Sequence, residues 1–259
     1  FSALELWEIY LAAAINSILN AFQEPAYAAT VPLLVSKQHL GRANGMVQMG
    51  RALAKLVAPA LAGVLVSTIG LQGVMLVDLA TFIFALVSLL IVRFPERQDI
   101  VSSEEESASL YKEVADGWAY LAARPALLLL LGFFALTNFL VNVVAILATP
   151  AILSMADAQV LGFVMSIGGL GMLAGSLLMS AWGGPKRQIF AVLGFVATLG
   201  LGLIIAGLYP SPLFFAAGAF LAYFSLPLFQ GSGQTILQSK VAPGIQGRVF
   251  SLRGMIVSL

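Results

Sequence analysis

Seven stretches of this chain are apolar for long enough to cross a lipid bilayer, at about residues 6–35, 43–68, 71–94, 126–153, 159–182, 189–208 and 212–238, and an eighth begins near 248. About 20 apolar residues suffice for one helical crossing. Hydrocarbon offers no partner to a backbone N–H or C=O, so only helices and closed barrels span it. A barrel would show short segments of alternating polarity. These runs are instead continuous and rich in Leu, Ala and Gly, which predicts an all-α, polytopic membrane bundle.

Composition agrees: 60% of the 259 residues are hydrophobic and 10% charged, far from the usual balance of a soluble domain. A formal net charge of +1 argues against a nucleic-acid partner. There is no cysteine, hence no disulfide or thiolate metal site, and the single histidine, His39, has no companion for a metal or a catalytic dyad. No metal and no cofactor is expected. The chain opens at Phe1 without a signal-peptide pattern and closes in the short apolar run "GMIVSL". It reads as an internal fragment.

Orientation follows from lysine and arginine, which concentrate in cytoplasmic loops. Lys37 and Arg42 follow the first stretch; Arg93, Arg97, Lys112 and Arg124 surround the gap after the third; Lys186 and Arg187 follow the fifth; Lys240, Arg248 and Arg253 follow the seventh. The alternate gaps "TIGLQG", "SMADAQ" and "GLYPSP" hold none. The first helix is therefore expected to run from outside to inside. Because the chain brings no thiol of its own, single cysteines test this directly. At Ser103 and Gln188 they should be labelled from the cytoplasm, and at Gln72, Ala156 and Ser211 from outside. Reversed labelling at two of these sites would overturn the orientation.

The one long loop, 95–124, opens with the acidic "PERQDIVSSEEESAS" and continues into "LYKEVADGWAYLAARP". There Leu110, Val114, Trp118 and Leu121 recur at helical spacing. That spacing predicts an amphipathic helix on the cytoplasmic membrane surface, with Trp118 at headgroup level. The acidic run is expected to be solvated linker.

Several spans carry polar residues four apart, on one helix face: Asn16, Asn20 and Glu24; Asn138 and Asn142; Gln230, Gln234 and Gln238. Such stripes line a cavity or bridge helices. Arg51, Lys55, Pro59 and Gly63 share a face of the second span. A charged side chain in the bilayer normally faces the bundle interior or water. Counted from the cytoplasmic ends at ~1.5 Å per residue, Glu24 and Lys55 both lie ~16–20 Å deep, so they are expected to pair. Asp78 enters the third span from the outer side, with Lys55 or Arg51 as its counter-charge. Gly171 and Gly175, in "GLGMLAG", read as a close-packing pair. Pro25, beside Glu24, removes a helix hydrogen bond.

The chain also repeats itself. "FQEP" followed by "LGRANGM" near the first span is echoed by "FSLP" followed by "QGRVFSL" near the seventh, the Phe-x-x-Pro elements lying 202 residues apart and the Gly-Arg elements 206 apart. Six spans fit that interval, as two parallel halves of a transporter would give.

On "PAYAATVPLLVSKQHLGRANGM", "VAPALAGVL", "DLATFIFALVSLLIVRFP" and "GWAYLAARPALLLL" the chain resembles the major facilitator superfamily, in particular its bacterial drug-efflux branch of macrolide and enterobactin exporters. "VAPALAGVL" is similar to the family's antiporter motif, with Ala58 where glycine is usual, then Pro59 and Gly63; "GGPKRQIF" keeps only part of the family's loop signature. The resemblance implies a fragment covering about helices four to eleven of twelve. Residues 1–94 would be the last three helices of the N-terminal six-helix bundle, 95–125 the central cytoplasmic loop, and 126–259 a truncated C-terminal bundle.

It further implies a secondary transporter of the bacterial cytoplasmic (inner) membrane, monomeric when full length. It would export an amphipathic small molecule in exchange for protons by alternating access. Proton coupling would then fall to Glu24, Lys55, Asp78 and Arg51, and the cavity to Asn16, Asn20, Asn138, Asn142, Gln230 and Gln234. A solute-uptake symporter and a flippase for lipid-like substrates fit the same residues. A polytopic enzyme lacks a nucleophile–base pair or metal cluster here, and a structural subunit would not require the buried charges.

Overall fold

The computed structural model describes residues 6–91 and 110–257. Among the described residues the chain is helical throughout, with α1 (Leu6–Leu34), α2 (Leu40–Ile91), α3 (Leu110–Ala122), α4 (Pro125–Leu153), α5 (Ala158–Trp182), α6 (Gln188–Leu208), α7 (Pro212–Lys240) and α8 (Gln246–Val257). One-turn 3-10 segments, Lys37–His39 and Pro243–Ile245, precede α2 and α8. The acidic run 95–109 lies outside the described residues.

The helix ends follow local chemistry. Asp157 caps α5, its Oδ1 accepting from the Val160 N–H at 2.9 Å, which satisfies one of the first-turn donors that lack a helical partner. At the other end Gly183 takes the left-handed conformation (φ 80°) and its N–H donates to the Met179 carbonyl at 2.8 Å, a glycine C-cap. The expected gap between the second and third spans is a backbone break inside α2. Gly70 sits at φ 68°, ψ 175°, a region that essentially only glycine occupies.

Among the described residues, five helical stretches are long and apolar enough to cross a membrane by length and composition alone: Leu61–Ile91, Pro125–Leu153, Ala158–Trp182, Gln188–Leu208 and Pro212–Lys240. Sequence reading expects seven. The two absent from this set, α1 and the first part of α2, carry the Asn16–Asn20–Glu24 stripe and the Arg51–Lys55 pair.

The chain divides into two compact units. The first comprises Phe1–Lys37, Arg97–Leu147 and Leu237–Leu259. In it α3 docks on α8: Leu121 is fully buried, and Gly117 is buried against the side chains of Leu252 and Arg248. Arg248 reaches Asp116 at 3.4 Å, and the Tyr120 hydroxyl accepts from the Ala242 N–H at 3.2 Å. Trp118 remains half-exposed. Also from α8, the Arg253 guanidinium lies 5.4 Å from the Phe134 ring centre, a cation–π contact.

The second unit comprises Gln38–Glu96 and Ala148–Ile236. Ile152, Val164 and Ala216 form a buried apolar cluster where α4, α5 and α7 meet. Farther along, α5 and α7 cross backbone to backbone. A Cβ added at Gly171 or Gly175 would strike the carbonyl of Phe220 or Phe224. The glycine pair is thus a close-packing pair, with Phe220 and Phe224 stacked beside it at 6.3 Å.

Candidate functional site

The polar stripe of α1 is present and internally joined. Asn20 Nδ2 donates to Asn16 Oδ1 at 3.0 Å and to the Asn16 carbonyl at 2.9 Å. Asn16, Asn20 and Glu24 are all exposed on the helix surface. One amide holds the end of the same helix: Gln238 Nε2 donates to the Ala28 carbonyl at 2.8 Å. Pro25 and Pro32 lie within α1, which continues through both.

On α2, Arg51, Lys55 and Ala58 are exposed, and a Cβ at Gly63 would meet open space. Asp78 is exposed too, its backbone carbonyl accepting from Thr81 Oγ1 at 2.8 Å. Among the described residues, Lys55 and Asp78 form no ion pair with each other. Glu24 belongs to the first unit, and Arg51, Lys55 and Asp78 to the second.

The remaining stripes separate into different roles. Asn138 Nδ2 donates to the Phe134 carbonyl one turn back, at 2.9 Å, while Asn142 is exposed. Gln230 Oε1 accepts from Gln48 Nε2 at 3.0 Å, and Gln234 is half-buried. The amide contacts of α7 include one residue, Gln48, that sequence reading passed over. A second such residue, Asn44, donates from Nδ2 to Thr235 Oγ1 at 3.0 Å, with both side chains buried. The available signal was their spacing of four on the same helix.

Neutral amide and hydroxyl contacts join α2 to α7, an ion pair joins Arg248 of α8 to Asp116 of α3, and Glu24, Arg51, Lys55 and Asp78 are exposed on helix surfaces. Among the described residues no group of three or more His, Asp or Glu side chains could hold a metal ion. The family model described as Major Facilitator Superfamily matches residues 1–259.

The chain belongs to the Major Facilitator Superfamily. As a member it is a multi-pass membrane transporter, built from helices as its sequence requires. Curated relatives include Macrolide efflux protein A of Enterococcus faecalis, 29% identical over 271 residues, covering 100% of this chain and 81% of the relative. Macrolide efflux protein A of Streptococcus pyogenes is also 29% identical over 271 residues, covering 100% of this chain and 64% of the relative. The uncharacterized MFS-type transporter YfiS of Bacillus subtilis is 24% identical over 261 residues, covering 95% of this chain and 60% of the relative. The chain thus spans four fifths of one of these superfamily relatives and less than two thirds of the others. No solved structure gives a significant match to the superfamily member described here.

Proposed function

We propose that the protein exports an amphipathic small molecule of the macrolide class across the bacterial cytoplasmic membrane, in exchange for protons and by alternating access. The observation that carries this reading is the match to macrolide efflux proteins along the entire chain, joined to family membership. In this proposal residues 1–94 contribute to one half of the transporter and 126–259 to the other, with 95–125 as the cytoplasmic connection.

The exchange needs a group that takes up a proton on one side and releases it on the other. Glu24 and Asp78 are acids well inside the expected spans, and Arg51 and Lys55 are bases on one face of the second. An ionised side chain is costly in the bilayer centre, so such residues mark proton or substrate pathways. Glu24 is proposed as the proton carrier, with Lys55 as its electrostatic partner. Asn16, Asn20, Asn138, Asn142, Gln230 and Gln234 are proposed to line the path. Asn16 and Asn20 offer donors and acceptors on the same exposed face as Glu24. Ala58, Pro59 and Gly63 would keep α2 adaptable, as an antiport motif requires.

The test is uptake of labelled erythromycin into inverted membrane vesicles bearing the whole protein, with and without a protonophore. Accumulation above control vesicles that collapses with the protonophore is expected. Uptake equal to vesicles lacking the protein would remove the macrolide assignment. Movement of a labelled lipid instead would favour the flippase reading.

A further inference from the structure

The join between α3 and α4 is fixed from both sides. The Arg124 N–H donates to the Leu121 carbonyl at 2.9 Å, and the Arg124 carbonyl accepts from the Leu127 and Leu128 N–H groups at 2.9 and 3.2 Å. Its side chain is held as well. The guanidinium carbon lies 3.7 Å from the centre of the Tyr120 ring, a cation–π distance, and Nη1 donates to the Tyr120 carbonyl at 3.3 Å. Arg124 is nevertheless exposed, which leaves donors of its planar fork available to a ligand.

The same tyrosine reaches the turn that follows a second cation. Its hydroxyl accepts from the Ala242 N–H at 3.2 Å, two residues past Lys240, which ends α7 and is exposed. Tyr120 thus carries Arg124 on its ring face and the turn after Lys240 at its hydroxyl. Both cations stand where an apolar span stops: Arg124 directly precedes Pro125–Leu153, and Lys240 is the last residue of Pro212–Lys240. Asp116, one turn back on α3, is matched by Arg248 at 3.4 Å, so its charge is already compensated. Trp118, about half a turn around the helix from Tyr120, is half-exposed, as aromatic rings at headgroup level are. All of these residues belong to the first unit.

We propose that this corner binds the headgroup of an anionic phospholipid, with the Arg124 guanidinium and the Lys240 ammonium on its phosphate and Tyr120 holding the two together. The leaflet is the one on this side, which the basic residues assign to the cytoplasm. A phosphodiester suits the pair for geometric reasons. The guanidinium presents a planar fork to two phosphate oxygens, and the ammonium adds a mobile point charge. Because Tyr120 already orders the arginine, less side-chain freedom is lost on binding. A soluble phosphate offers the same oxygens, but the ends of two spans and the neighbouring Trp118 favour the lipid, whose acyl chains enter the hydrocarbon those spans cross. A headgroup seated there braces the α3–α4 corner against the end of α7. The proposal rests on membrane topology and is independent of the macrolide assignment, which the vesicle assay tests separately.

The experiment incubates the whole protein in detergent with phosphatidylglycerol or with phosphatidylcholine of the same acyl chains, and counts the retained lipids by native mass spectrometry. Preferential retention of phosphatidylglycerol is expected. Arg124→Gln and Lys240→Gln, both at exposed positions, should each weaken it about fivefold, the share of one basic residue beside anionic lipid. The double variant should lose the preference. Tyr120→Leu should weaken retention too, although both cations remain. Lys186→Gln, which removes an exposed cation of the second unit, should leave retention as in the parent. An unchanged preference in the double variant, or an equal loss in Lys186→Gln, would overturn the site. Displacement of the lipid by millimolar inorganic phosphate would overturn the lipid as its occupant and make the corner a site for a soluble anion.

Discussion

Replacing Glu24 by glutamine in the whole protein should reduce drug movement driven by a pH gradient to the level of protein-free vesicles, while erythromycin binding and the folded state survive. Glutamine keeps the size and hydrogen bonding of the side chain and removes its titration. Burial favours the neutral carboxylic acid and a nearby cation the carboxylate. In the proposed mechanism an exchanging carboxylate couples the drug's movement to the pH gradient, and the glutamine variant cannot take that part. The measurement is uphill transport from an imposed pH gradient, beside downhill exchange that needs no proton. Loss of the first with retention of the second is the expected pattern. Uphill transport at the parental rate would move the coupling role to Asp78, and a variant that fails to insert would make Glu24 a structural residue.

The second large effect is on stability. Gly175→Leu should cost on the order of 3 kcal/mol, at the upper end for overpacking a close-packed site. The added side chain points at the Phe224 carbonyl, and a backbone cannot move aside as a side-chain tip can. To admit it, α5 and α7 must separate, which loosens the glycine contacts along the crossing and the contacts of the stacked Phe220 and Phe224 pair beside them. Thermal unfolding in detergent, followed by size-exclusion chromatography, is the check. Gly162→Leu, on the same helix with open space at its Cβ position, serves as the control and should behave as the parent does. Equal melting temperatures for the two variants would mean that α5 and α7 do not cross at Gly171 and Gly175.

Both effects begin from features visible in the residues. A carboxylate within an apolar run and a Gly-x-x-x-Gly pair each break the local pattern, and each break has a physical cost that something must compensate. The outcomes differ in kind. The glycine pair finds its partner in a helix about fifty residues away, at Phe220 and Phe224. The charged residues occupy the helix surfaces of α1 and α2, and their coupling role remains a proposal that the variants above test.

The sequence by itself determined the all-helical membrane-spanning character, because hydrocarbon leaves the backbone no other way to satisfy its polar groups. It determined the break near residue 70, because glycine adopts a backbone conformation there that side chains forbid. The family was legible too, from motifs that run the length of the chain. Only the tertiary structure decided which faces meet. Periodicity shows that Asn44 and Gln48, or Gln230 and Gln234, share a side of a helix, but that side can face lipid, cavity or any neighbour. The choice is made by steric fit between helices distant in the chain. Gly41 and Gly45 admit the backbone of α5, and the amides of α2 then reach α7 at hydrogen-bonding distance. The docking of α3 is of the same kind: helical spacing predicted an amphipathic helix, and the tertiary structure decides that Gly117 packs against Leu252 and Arg248 of α8 and that Leu121 is buried, with Trp118 half-exposed. A hydrophobic stripe fixes that a surface will be covered, and shape complementarity alone selects what covers it.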